Sequence, residues 1–176
     1  MEALLIIDMQ IGSFQTTRFE AEKVIENINF LSTFFRKTDK PVIFIQHDGT
    51  KENFLVYGKD EWCILPSLIQ DSNDYYIEKE ANDCFYKTRL ESLLQKLDIQ
   101  KLYICGCATD FCINATVHGA LVRDYDITVI KDGHTTADRP TLKAEQIIDF
   151  HNWLWASLTP TKHAIEVKTT HEILTQ

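Results

Sequence analysis

The stretch Ile104–Thr116, ICGCATDFCINAT, gathers Cys105, Cys107 and Cys112 from a chain that holds five cysteines. It follows directly on an apolar run, Lys101–Gly106 (KLYICG), and leads into the helical pattern CINATVHGALVRD. A buried strand that ends in a short turn and becomes a helix is the building unit of a parallel α/β sheet.

Outward from this unit the same alternation repeats. ALLIID near the N-terminus, PVIFIQH (Pro41–His47), YYIEK (Tyr75–Lys79), DITVIKD (Asp126–Asp132) and HAIEVKT (His163–Thr169) read as further strands. Between them, Phe19–Lys37 carries Val24, Ile28, Leu31 and Phe35 at helical spacing, and Lys87–Leu97 and Thr141–Leu158 are amphipathic. Continuous apolar strands separated by helices predict a three-layer α/β/α fold around a six-stranded parallel sheet, with residues 1–176 as a single domain. In such sheets ligands bind beyond the carboxyl ends of the strands. Those ends carry Asp8, then His47 with Asp48, then Lys79, then GCATDFC, while Asp132 and His134 are expected after the fifth strand.

The bulk numbers narrow the function classes. Hydrophobic residues make up 44% and charged residues 25%, the balance of a water-soluble domain. A formal net charge of −8 and the absence of basic clusters argue against nucleic acid as a partner. The apolar run in MEALLIIDMQ is too short for a membrane span and lacks a signal peptide's basic flank, so the expectation is a cytoplasmic protein with no membrane partner. Five cysteines, an odd count, fit reduced thiols better than a disulfide framework. No G-x-G-x-x-G follows the first strand, which sets nucleotide binding aside.

The cysteine spacing C-G-C and C-A-T-D-F-C matches neither the paired ligands of a closed zinc site nor a C-x-x-C redox pair. Cys105, Cys63 and Cys84 read as small buried hydrophobes, and Cys107 as either core or site. Cys112 stands at the start of a helix, where free N–H groups and the positive helix end can lower a thiol pKa from about 8.5 into the range of roughly 3.5–7.5. The same N–H groups can hold a developing oxyanion. On the residues alone, Cys112 is either a nucleophile or a packed core thiol.

LLIIDMQ, the segment Lys79–Phe85 (KEANDCF) and ICGCATDFC occur in the order and approximate spacing of the isochorismatase-like cysteine hydrolases, which the chain resembles. HGALVRDYDITVIKDGHTT and LKAEQIIDFHN extend the resemblance over nearly the whole chain. It implies a cofactor-free hydrolase in which Asp8 is general base and acid, Lys79 stabilises and orients, and Cys112 attacks. It further implies a cis peptide between Cys107 and Ala108, with the Ala108 and Cys112 N–H groups as the oxyanion hole. An ammonium at Lys79 would favour both a thiolate at Cys112 and a carboxylate at Asp8.

The resemblance departs at one point. Nicotinamidase members carry a metal site built on Asp-x-His with a further His nearby, whereas this chain has IQHDGTKENF, with His47 before Asp48. No metal ligand set and no cofactor are therefore expected. His47 lines the pocket or serves as a structural donor; His118 and His134 are open between site support and packing. Trp62, in GKDEWCILPSL, is either a pocket wall or a loop anchor. Phe14, Phe85 and Phe111 flank the three implied catalytic residues in sequence and suggest a small, partly apolar pocket for a compact planar or carboxylated substrate.

The reaction expected is hydrolysis of a small-molecule C–N amide bond through a Cys112 thioester. The alternatives are vinyl-ether hydrolysis of isochorismate, led by proton donation from Asp8, and a non-catalytic binding or assembly module. The resemblance also implies self-association into a homo-oligomer, with Trp153 and Trp155 on different faces of the late helix.

Overall fold

The computed structural model describes residues 1–175. Six parallel strands form one sheet: β1 (Glu2–Ile7), β2 (Val42–His47), β3 (Tyr75–Lys79), β4 (Lys101–Cys107), β5 (Asp126–Thr135) and β6 (Glu166–Lys168). Their spatial order is β3-β2-β1-β4-β5-β6. The order reverses between β1 and β4, and that boundary is where an open α/β sheet leaves a crevice.

Strand periodicity sends alternate residues to opposite faces, and each face has its own core. Ala3, Leu5 and Ile7 of β1 pack with Leu90 and Leu94 of α2 (Leu90–Lys96), Val117 and Ala120 of α3 (Asn114–Leu121), and Trp155 of α4 (Ala144–Ser157). Leu4 and Ile6 face the other way, onto α1 (Ala21–Lys37) and onto Ile173 of α5 (Thr170–Leu174). Helix α1 buries Val24, Ile28, Leu31 and Phe35 at the spacing its sequence sets, four side chains that stabilise the layer by about 1.5–3 kcal/mol each. A polar Asn in place of Ile28 would break that stripe at its centre. No described helix is long and apolar enough to cross a membrane.

Two elements differ from the sequence expectation. Strand β5 continues to Thr135, so Asp132 and His134 lie within it rather than after it. Its register against β4 shifts, from Ile104 opposite Val129 to Gly106 opposite His134, which absorbs the polar segment Lys131–Gly133 without ending the strand. The segment carrying Cys112 is not the first turn of α3 either. Thr109–Ile113 forms a wider turn, with the Ile113 N–H donating to the Ala108 carbonyl at 3.2 Å, and α3 begins at Asn114.

Candidate active site

Three strand ends converge at the switch point. Asp8 follows β1 with a left-handed φ of 51°, and its N–H is held by the Ile45 carbonyl at 2.9 Å. Lys79 is the last residue of β3. Gly106, near the end of β4, pairs with Ile7 at φ 122°, and a Cβ there would run into the Ile7 carbonyl. Only glycine therefore lets β4 approach β1 this closely beside Asp8. The Cys107–Ala108 peptide that follows is cis, and among the described residues no carbonyl accepts from the Ala108 N–H.

Lys79 is the hub. Its buried Nζ donates to Asp8 Oδ2 at 2.7 Å, to the Ala81 carbonyl at 3.0 Å and to Cys112 Sγ at 3.2 Å. Those contacts use all three protons of an ammonium. His47 Nδ1 lies 3.4 Å away as a fourth neighbour. The Cys112 thiol also donates to Asn82 Oδ1 at 3.5 Å. Asp8 Oδ1 is buried and has no partner, which leaves a carboxylate oxygen free to receive a proton.

Electrostatics follow from burial and from this contact set. Burial alone would lower the Lys79 pKa, but the Asp8 carboxylate and the neighbouring Cys112 override it and hold the amine firmly protonated. Cys112 moves the opposite way from the helix-end expectation. Burial and the Asp8 carboxylate push its pKa well up, against the opposing pull of Lys79. The resting group is a thiol. Burial, then the Lys79 charge, lowers the His47 pKa and keeps that ring neutral.

Above these groups opens a cavity of about 230 Å³. Asp8, Cys107, Ala108 and Cys112 line its floor, together with Asn82 and His47. Phe111, Phe54 and Leu55 give it apolar walls, and Arg18 and Arg139 add two cations. A larger groove of about 760 Å³ on the outer face of α1, beside Phe30 and Ile69, contains none of the reactive set.

Asp8, Lys79, Cys112 and Ala108 thus come together, with His47 and Phe111 on the walls. Phe14, Trp62 and Phe85 do not line the cavity. Asp83 Oδ1 accepts the Phe85 N–H at 2.9 Å, and the ring turns into the core, stacked on Tyr125 at 5.8 Å and capped by Arg123 at 4.7 Å. Trp62 anchors its loop: its ring packs on Tyr57, and its carbonyl accepts from Gln10 and Gln46. Phe14 is half-buried against the α1 side of the core. His118 is exposed on α3. His134 is buried between Thr109 and Asn152, with its pKa lowered to about 4 by burial.

Among the other thiols, Cys84, Cys105 and Cys107 are buried, and Cys107 also reaches the cavity floor. Cys63 is exposed, contrary to the core reading, because its loop runs over the surface. Nothing in the sequence pattern marks Arg18 or Arg139; Asn82 lies inside the KEANDCF stretch but carries no signal of its own.

The residues at the second strand end do not fit the metal site of the nicotinamidase branch. Asp48 Oδ1 is engaged in its own turn by the Thr50 N–H at 3.0 Å and hydroxyl at 2.5 Å. His47 faces the Lys79 ammonium, whose charge would repel a cation. Among the described residues no group of three or more His, Cys, Asp or Glu side chains is placed to hold a metal ion.

Comparison with known proteins identifies the family and the fold. The isochorismatase domain model matches residues 2–154. A probable inactive nicotinamidase of Arabidopsis thaliana is 38% identical over 184 residues, 92% of this chain and 92% of that protein. Nicotinamidase 3 of the same plant is 27% identical over 152 residues, covering 76% of this chain and 73% of its own. The crystal structure of an isochorismatase family protein superposes with a TM-score of 0.87 at 30% identity, over 96% of this chain and 98% of the other.

Proposed function

The chain belongs to the isochorismatase family, and from that premise we propose that it is a cysteine-dependent hydrolase of a small-molecule C–N amide bond. The observation that carries the reading is Lys79 Nζ within hydrogen-bond distance of both Asp8 Oδ2 and Cys112 Sγ. A single ammonium can accompany a negative charge as it moves from one atom to the other. The cluster then keeps one cation and one anion throughout, and no net charge has to be created in a buried site.

In the first half-reaction the Cys112 proton passes to the Asp8 carboxylate, and the thiolate attacks the amide carbonyl carbon. The carbonyl oxygen becomes an oxyanion, held by the Ala108 and Cys112 N–H groups. When the C–N bond breaks, Asp8 returns its proton to the departing amine and an acyl thioester remains on Cys112. Asp8 then takes a proton from water, the hydroxide adds to the thioester, and collapse releases the carboxylic acid and restores the thiol. The raised thiol pKa suits this route, in which the thiolate forms only when Asp8 accepts the proton.

A relative named as a nicotinamidase supports amide chemistry, while a more similar one designated a probable inactive nicotinamidase gives no support to nicotinamide itself as the substrate. The test is an ammonia-release screen over small primary amides, with intact-mass detection of an acyl adduct on Cys112. A screen without turnover or adduct on any amide would remove the reading.

A further inference from the structure

The charges lining the cavity are paired, with one exception. Asp8 is neutralised by Lys79 at 2.7 Å. Arg139 clasps Asp110 through Nε at 2.7 Å and Nη2 at 3.0 Å, and also donates to Thr136 Oγ1 at 2.9 Å. Arg18 differs. Its Nε donates to the Ser13 carbonyl at 2.6 Å, and among the described residues no carboxylate forms an ion pair with it.

That single bond fixes the plane of the Arg18 guanidinium and leaves the two Nη groups, with four of the five N–H donors, for a ligand. A guanidinium edge presents two parallel donors that match a carboxylate. A half-buried cation without a counter-charge, in the wall of a reaction cavity, is a binding site for an anion. The chain as a whole carries a formal charge of −8. An anionic substrate is therefore not drawn in by the general field, and at physiological salt the attraction must come from a cation within about 8 Å.

The cavity limits the rest of the molecule. Its volume of about 230 Å³ is roughly what seven or eight waters occupy in the liquid. The anionic group and the scissile carbonyl are then separated by only a few bonds.

Resting on the amide-hydrolase reading of Cys112, we propose that the substrate is a small amide that carries its own carboxylate, and that Arg18 is the specificity residue that binds this carboxylate while the amide carbonyl lies over Cys112. Arg139 does not share the task, because its charge is already neutralised by Asp110 at 2.7 Å.

The test uses the Cys112→Ala protein, which lacks the atom that would form the thioester, and measures binding by calorimetry. The probes are malonamate, succinamate and glutaramate, each beside its uncharged diamide. One monoacid of the series should bind about 10- to 100-fold tighter than its diamide, the range expected for a charge-assisted bidentate contact. In Cys112→Ala/Arg18→Gln that preference should vanish, and in Cys112→Ala/Arg18→Lys part of it should return; unchanged melting temperatures show that the variants are folded. Equal binding of acid and diamide, survival of the preference in Arg18→Gln, or no binding of any monoacid at millimolar concentration would overturn the proposal. Ammonia release by the wild-type protein separates the two ideas. Carboxylate preference without ammonia release upholds Arg18 and discards hydrolysis, whereas release from acids and diamides alike discards Arg18 and keeps hydrolysis.

Discussion

His134 Nδ1 lies 2.9 Å from Thr109 Oγ1, which ties the turn that carries Cys112 to the end of β5. The other ring nitrogen faces Asn152 Oδ1 at 3.0 Å, and the Asn152 amide donates to the Lys131 carbonyl. Nε2 therefore bears the proton and donates, while Nδ1 accepts from the threonine hydroxyl. Burial lowers the folded pKa of this ring from 6.5 to about 4. The unfolded chain binds the proton more readily, so stability contributed by the neutral ring is present above pH 6.5 and is lost as pH falls toward 4. The loss is on the order of 3 kcal/mol. Urea denaturation across this window should show a steeper fall for the wild type than for His134→Gln; equal slopes would mean that His134 does not titrate there.

Removing Lys79 strands a buried carboxylate. Lys79→Met should cost about 3–5 kcal/mol and abolish turnover, because Asp8 is left without its counter-charge. The double variant Asp8→Asn/Lys79→Met should be more stable than Lys79→Met alone, a non-additivity read directly from urea midpoints.

Thiol labelling should follow exposure. Cys63 is exposed, whereas Cys112 is buried with its proton held on. Limiting iodoacetamide should therefore mark Cys63 first by peptide mapping, and a Cys63→Ser protein should react slowly. Preferential alkylation of Cys112 in the free protein would mean that its resting state is a thiolate, contrary to the electrostatics of the site.

Amide and vinyl-ether chemistry place different demands on Cys112 and Asp8. In amide hydrolysis Cys112→Ala deletes the atom that forms the thioester, and the rate should drop by about 10³-fold or more, with Asp8→Asn equally severe. In vinyl-ether hydrolysis the demanding step is proton donation to carbon, and Asp8→Asn alone would be crippling. Ammonia release and an isochorismate assay on the two variants decide between them, and retained turnover by Cys112→Ala would point to the second reaction.

Self-association, implied by the family resemblance, would act through an exposed aromatic pair on α4. Phe150 and Trp153 are 53% and 61% exposed on α4, with ring centroids 5.8 Å apart, while Trp155 is fully buried. Light scattering should give a mass above the 20.4 kDa of one chain, reduced in Phe150→Ser/Trp153→Ser. A monomeric wild type would leave this pair as an ordinary exposed patch.

The strands were legible because strands buried on both faces must be apolar throughout; their ends offered Asp8, Lys79 and Cys112 among other polar candidates, and the family resemblance singled out those three. The polar tail of β5 was not, since Gly133, His134 and Thr135 read as a turn until their buried hydrogen bonds are known. Adjacency to a reactive residue was a poor guide to side-chain direction: Phe111 reaches the cavity and Phe85 the core. The helix-end argument for Cys112 omitted burial and the carboxylate that β1 brings beside it, which together reverse the sign of the pKa shift. Arg18 and Arg139 stand outside any strand or helix, in segments that no periodicity marks.

Asp8 and Lys79 are 71 residues apart along the chain, and Lys79 and Cys112 a further 33. Each contact closes only when β3, β2, β1 and β4 lie side by side in register. Pairings of such long range form late and together, after the loop-closure entropy of the intervening chain has been overcome. A fragment ending before β4 would lack Cys112, and one starting at α1 would lack Asp8. During refolding, secondary structure can therefore return before the reactive cluster does, and regained turnover serves as a clock for completion of the sheet.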